Sequence, residues 1–296
     1  MKKIVLIDWS WFLFRAWYAY PAIINDRGEN INVVYGFFRM MLKLLLDKPD
    51  YFVIAWDSPV KTKRHEEYPD YKANRRKMED EFKQQLPWVR EIVENLWIPS
   101  FAAPWYEADD IISTLVSNYK DWKDLSLQVF TSDKDLKQFL TDNIIITDSM
   151  KNQTTTLLEF KKEFWFEPPY IVDYLALIWD SADNIKWVPW IGPKKASDLV
   201  CKYHTVENIY DHIDELTPDL KEKMLQGKES AYFSKELIKL MEVPELKWVE
   251  LDKCSLRIDF NKWSRVLFDE WKMNGLKKWF EELKKKMMQP QQLGLF

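Results

Sequence analysis

Four short runs of β-branched and aliphatic residues each end in aspartate: KIVLID (3–8), YFVIAWD (51–57), SLQVFTSD (126–133) and NIIITD (143–148). Strands this continuously apolar are covered on both faces, as in a parallel sheet. Long helical patterns lie between the first three. VVYGFFRMMLKLLLD (33–47) repeats its apolar residues at helical spacing, and DDIISTLVSNYK (109–120) sets Ile111, Ile112, Leu115, Val116 and Tyr119 on one broad face. Strands alternating with helices predict an α/β fold, a mainly parallel sheet flanked by helices.

From about residue 168 the pattern turns to short helices: PPYIVDYLALI, PKKASDLVCKY, TVENIYDHIDEL and DLKEKMLQGKESAYFSKELIKLM. The expected organisation is an α/β core over 1–167, a helical module with closing segments over 168–262, and a C-terminal helix and tail over 263–296. Residues 246–262 are expected to add a strand or extended segment, and 263–286 a single helix with a basic end.

Several function classes fall away at once. No apolar run reaches the roughly 18 residues of a membrane span. The N-terminal MKKIVLIDWS is interrupted at once by Asp8 and reads as a buried strand, not a signal peptide. Two cysteines, Cys201 and Cys254, are too few for a disulfide scaffold or zinc cluster, which fits a cytoplasmic location. Net charge is −4, weakly against nucleic acid, but the signs are segregated.

The acids cluster where a parallel sheet would do chemistry. Asp8, Asp57 and Asp133 close strands, and the carboxyl ends of parallel strands form the functional edge. Asp135 follows Asp133 by two positions, and YEADD adds Glu107, Asp109 and Asp110 at a helix start. WDSAD adds Asp180 and Asp183. Taken singly, such an aspartate is a helix cap or a turn residue. Nine gathered together would repel unless counterions held them. An all-oxygen set, with His65, His204 and His212 at no ligand spacing, suits Mg²⁺ or Mn²⁺. Paired hard cations are the apparatus of phosphodiester hydrolysis.

Directly after Asp57, residues 61–77 (KTKRHEEYPDYKANRRK) carry seven Lys/Arg against three acids. Tyr68 and Tyr71 offer stacking surfaces, and Lys72, Arg75 and Arg76 can pair with phosphate. Further on, IGPKKA (191–196) is built like a phosphate clamp. Gly192 lets a backbone approach closely, Pro193 suits a first helical turn, and Lys194 and Lys195 add charge to free N–H groups.

Together YEADD, TSDKDLKQ, RHEEYPDYKANR and DSADN followed by IGPKKA resemble, in order over about residues 3–260, the 5′-nuclease domain of bacterial DNA polymerase I, the phage 5′-exonucleases and the flap endonucleases. The resemblance implies a PIN-like sheet core, a helical arch over about 61–90, a helix-hairpin-helix module and two divalent cations, Mg²⁺ or possibly Mn²⁺. It implies one carboxylate group of Asp8, Asp57, Glu107, Asp109 and Asp110, and a second of Asp133, Asp135, Asp180 and Asp183. Lys72 and Arg75 match a basic pair on the scissile phosphate, and Tyr71 a neighbouring aromatic. Arg15 and Arg64 match basic positions near the DNA. IGPKKA matches the hairpin that grips duplex DNA, often with K⁺. The implied activity is 5′-3′ exonuclease and flap endonuclease cleavage of DNA in replication and repair, with association with a polymerase as a further implied partnership. Three alternatives stand beside it: a non-catalytic junction-binding protein, an RNA nuclease of similar topology, and the detached nuclease part of a DNA polymerase I. The complete carboxylate set counts against the first, and the basic segment with IGPKKA against the second.

One departure from the family pattern is systematic. Tryptophan stands at family glycine positions in Trp9, Trp97, Trp105, Trp165, Trp179, Trp187 and Trp190, with Trp11 and Trp17 as further cases. The chain has 6 glycines and 16 tryptophans, where about 20 glycines would be ordinary at this length. A UGA codon translated as tryptophan but read as glycine in its own genetic code would leave this signature. Natural drift toward aromatic DNA-stacking surfaces is the other explanation.

Overall fold

The computed structural model describes residues 1–75, 77–148, 150–151, 153–178, 188 and 190–289. The elements run β1 (Lys2–Asp8), α1 (Trp9–Ala19), α2 (Asn32–Leu45), β2 (Tyr51–Ala55), α3 (Lys63–Glu67), α4 (Asp80–Asn95), β3 (Ser100–Phe101), α5 (Ala108–Tyr119), β4 (Leu125–Phe130), β5 (Ile144–Asp148), β6 (Gln153–Thr155) and α6 (Leu157–Phe164). Then come α7 (Ile171–Leu177), α8 (Pro193–Tyr203), α9 (Val206–Asp211), α10 (Pro218–Gln226), α11 (Lys228–Ile238), α12 (Phe260–Ser264) and α13 (Lys277–Met288).

The strands form one sheet in the order β3-β2-β1-β4-β5-β6, parallel except for the last pair. The alternation of β1 explains how it is covered. Ile4 and Leu6 join a core with α5, α7, α8 and α11, while Val5 and Ile7 join a second core with α1, α2, α4 and α13. The chain order reverses between β1 and β4. In open α/β sheets, ligands bind at the carboxyl ends of the strands flanking such a reversal.

Three segments differ in detail from expectation. Of the strand or extended segment expected over 246–262, no strand forms; after short 3₁₀ turns at Pro244–Leu246 and Leu251–Cys254, extended backbone from Ser255 to Asp259 leads into α12. The C-terminal helix is broken, because a turn through Asn274–Leu276 separates α12 and its π-helical continuation (Arg265–Glu270) from α13. The segment expected as an arch over about 61–90 is, in its described residues, irregular or short-helical up to residue 79 and a long helix from residue 80. There α4 begins, and it buries Phe82, Gln85, Val89, Ile92 and Val93. Gln85 also caps α2 from across the interface, accepting from Val33 N–H at 2.9 Å and donating to Asn32 Oδ1 at 3.0 Å. Among the described residues, no helix is long and apolar enough to cross a membrane.

Candidate active site

Asp8 closes β1 and opens α1. One carboxylate oxygen accepts from Ser10 N–H (3.0 Å) and Ser10 Oγ (2.8 Å), capping the helix, and the other accepts from Thr131 Oγ1 (3.1 Å) just beyond β4. The two central strands are thus tied at the reversal point. Burial, then the charges of Asp57 and Asp133, push the Asp8 carboxyl up to about 6. Asp57, two residues past β2, accepts from the Ala108 N–H at 2.8 Å, so it sits at the positive end of α5. Asp133 holds the next turn by accepting from the Asp135 N–H at 2.8 Å.

These side chains share a cleft of about 260 Å³, lined among others by Asp8, Asp57, Asp109, Asp133, Lys72 and Arg75. Asp109 is the telling member. Its Oδ1 is buried with no hydrogen-bond partner among the described residues. Burial first, then Asp133 and Asp8, raise its carboxyl well above the usual range. A buried carboxylate oxygen without a partner is costly, and a bound cation would offset that cost. As the side chains stand, no three acidic, histidine or cysteine groups among the described residues are placed to hold one ion. The donor chemistry nonetheless fits a hard cation, being all oxygen.

Lys72 reaches over the cleft from a backbone with φ 58°. Its Nζ donates to Glu107 Oε1 at 2.9 Å and lies 4.7 Å from the Tyr71 ring. The buried Tyr71 hydroxyl donates to Glu107 Oε2 at 3.1 Å. Arg75 is exposed on the cleft wall. A second, contiguous cleft of about 430 Å³ shares Ser10, Phe14, Asp57 and Arg75 and continues along Phe82. The Phe14 and Phe82 rings stack there at 5.0 Å.

Two expected site residues are diverted to structure. Arg64 is buried and faces inward. It donates to both oxygens of Asp110 at 2.8 Å, to Glu107 at 3.2 Å, and to the carbonyls of Leu237 (2.9 Å) and Lys239 (3.0 Å). It therefore presents no donor to DNA. Asp110, fully buried, also accepts from the N–H groups of Glu107 (3.0 Å) and Met241 (2.9 Å). Four donors fill its acceptor positions, so in this arrangement it is a brace, not a metal ligand.

The remaining expected residues are dispersed. Asp135 starts a 3₁₀ turn and does not line the carboxylate cleft. Arg15 lies 5.6 Å from the Trp11 ring, with one terminal nitrogen buried and unpartnered among the described residues. With Arg39 and Lys43 it opens on a separate cleft of about 240 Å³. Gly192 is the N-cap of α8 with Pro193 at its first turn, and Lys194 and Lys195 are exposed beside it. Among the described residues, a Cβ on Gly192 would meet nothing within 4 Å. Arg76, Asp180 and Asp183 lie outside the described residues.

A profile of the 5′-3′ exonuclease N-terminal resolvase-like domain matches residues 3–165, and one of the 5′-3′ exonuclease C-terminal SAM fold matches 166–259. The chain belongs to the 5′-3′ exonuclease family. It is 34% identical to a 5′-3′ exonuclease of Aquifex aeolicus over 297 aligned positions, covering 100% of both chains. It is 37% identical to DNA polymerase I of Bacillus subtilis over 81% of this chain but only 28% of the polymerase. The T5 D15 protein, crystallised with metal ions, superposes with a TM-score of 0.67 at 16% identity, covering 96% of this chain and 99% of that one. That likeness is one of fold.

Within this 5′-3′ exonuclease, motif reading passed over Ser10 and Thr131, the two hydroxyls that orient Asp8. Ser10 carried a signal, standing two residues after a strand-end aspartate where a helix begins. Thr131 carried none without the strand register that places it beside β1.

Proposed function

We propose that this chain hydrolyses DNA phosphodiester bonds at 5′ ends and 5′ flaps with the help of divalent cations. The observation that carries the reading is the meeting of Asp8, Asp57, Asp109 and Asp133 with Lys72 and Arg75 in one cleft at the sheet's reversal point.

Asp8, Asp57, Asp109 and Asp133 would hold magnesium or manganese, with Glu107 nearby and Asp135, Asp180 and Asp183 toward a second ion. Bound there, such ions lower the pKa of an attacking water and stabilise charge on the phosphate. The chain's own groups do the rest. Lys72 and Arg75 draw the scissile phosphate against the carboxylates, and the preorganised charge of Lys72 offsets negative charge developing in the transition state. Glu107 keeps Lys72 aimed into the cleft until substrate arrives. Phe14, backed by the buried Phe82 ring stacked on it, lines the adjoining groove, where unpaired bases can stack on an aromatic ring. Gly192, Lys194 and Lys195, together with the Arg15, Arg39 and Lys43 cleft, would grip the DNA backbone without reading sequence. Polymerases such as that of Bacillus subtilis are related to this chain over part of their length, and cooperation with a polymerase belongs to the same reading.

The test is cleavage of a 5′-flap DNA in Mg²⁺. Products with a 5′-phosphate, abolished by chelation, are expected. No cleavage under any divalent cation would overturn the proposal.

A further inference from the structure

Among the described residues, nine non-glycine residues have positive φ, and five of them are tryptophan: Trp97 (55°), Trp105 (68°), Trp165 (65°), Trp190 (68°) and Trp248 (64°). Tryptophan is only 16 of 296 residues, so chance does not put it there. Bulky side chains avoid this region, which glycine enters at no steric cost.

The local geometry at each site is one that glycine usually fills. Trp97 follows α4 as the left-handed residue of a Schellman motif. Its N–H donates to Glu94 O (3.1 Å), the next N–H, of Ile98, donates to Val93 O (3.1 Å), and Ile98 and Val93 are both buried. Trp165 is the left-handed cap of α6, with its N–H on Lys161 O at 3.1 Å. The other three stand at the third position of hydrogen-bonded turns. These are closed by Tyr106 N–H to Ala103 O (3.3 Å), Ile191 N–H to Val188 O (3.3 Å) and Val249 N–H to Leu246 O (3.2 Å). At the last of these the preceding Lys247 has φ −62° and ψ 125°, which makes it a type II turn, a class that requires positive φ at its third residue. The turns at 105 and 190 carry proline at the second position in sequence, as type II turns favour.

The side chains contribute little in return. All five are exposed, from 51% at Trp105 to 80% at Trp165. The tryptophans that build the core are different in kind. Trp263 is fully buried with its indole N–H on Leu96 O at 3.2 Å, and Trp56 stacks on Phe37. Their φ values are not positive.

We infer that positions 97, 105, 165, 190 and 248 are glycine in the natural protein, and that the tryptophan written there is a UGA codon read in the wrong code. Four of the five are positions where the family resemblance already implied glycine. Trp248 is identified by its backbone alone.

Peptide sequencing by mass spectrometry of the protein from the organism that carries the gene decides it. Glycine is expected at all five positions and tryptophan at 263, with UGA codons at the five and UGG at 263. Tryptophan at the five positions overturns the inference. Independently, the recombinant chain as written is compared with one carrying the five Trp→Gly changes. Relief of five strained residues should raise the melting temperature by on the order of 10 °C. An unchanged or lower melting temperature would contradict the strain on which the inference rests.

Discussion

Arg64 and Asp110 form a two-pronged ion pair, both bonds at 2.8 Å, with the side chains only 5% and 0% exposed. Arg64 comes from the basic segment after β2, Asp110 from the first turn of α5, and the carbonyls of Leu237 and Lys239 complete the guanidinium's partners. Arg64 thus fastens the basic segment to the start of α5 and to the end of α11. It thereby fixes where Lys72 and Arg75 can stand relative to Asp8 and Asp109.

Arg64→Ala should therefore act through stability. Removing one partner of a buried pair leaves a charge uncompensated, at about 3–5 kcal/mol. Arg64→Lys should rescue little, because an ammonium cannot reproduce the fork. Urea denaturation of both variants checks this. Wild-type stability in Arg64→Ala would remove the bracing role.

Lys72→Ala should separate rate from metal binding. Losing a preorganised charge at the phosphate is expected to slow single-turnover cleavage about 10²–10³-fold. The same change frees Glu107 Oε1 from its 2.9 Å ion pair, so divalent-ion affinity should hold or rise. Parallel cleavage and Mn²⁺ titration would show the split. A fall in both together would place Lys72 in holding the carboxylates instead of the phosphate.

The pH dependence of the metal-free protein follows from Asp8. Its folded value is about 6, above the ordinary carboxylate value of 3.8, so the folded state holds the proton more tightly than the unfolded. That stabilisation is present at low pH and is lost as pH rises toward and through 6, at a cost on the order of 1–3 kcal/mol. In EDTA, Asp8→Asn should flatten the decline in stability between pH 4 and 7. An unchanged slope would mean that the Asp8 carboxyl is not desolvated as described.

Much of this was readable from residues alone, for a physical reason. Asp8, Asp57 and Asp133 follow apolar runs, and a parallel sheet brings strand ends to one edge however far apart they lie in sequence. The bracing contacts of Arg64 and Asp110 were not legible, because charge type is visible in sequence and burial is not. Their partners, the carbonyls of Leu237 and Lys239 and the N–H of Met241, come from over 120 residues away along the chain and carry no side-chain signal. The apolar stripe of Phe82, Val89 and Ile92 that seats α4 was hard to read beneath its charged residues. The C-terminal helix looked continuous because its apolar spacing persists through the break at Asn274 and Gly275.

On the proposed function, the sheet-edge carboxylates hold two divalent cations. The most direct measurement is Mn²⁺ binding, counted by calorimetry and electron paramagnetic resonance, on the wild-type chain and on Asp109→Asn. Two ions per wild-type chain are expected, with at least one lost in the variant, because Asp109 Oδ1 is buried and has no partner among the described residues. No bound Mn²⁺ on the wild type, or the same two ions on Asp109→Asn, would contradict it.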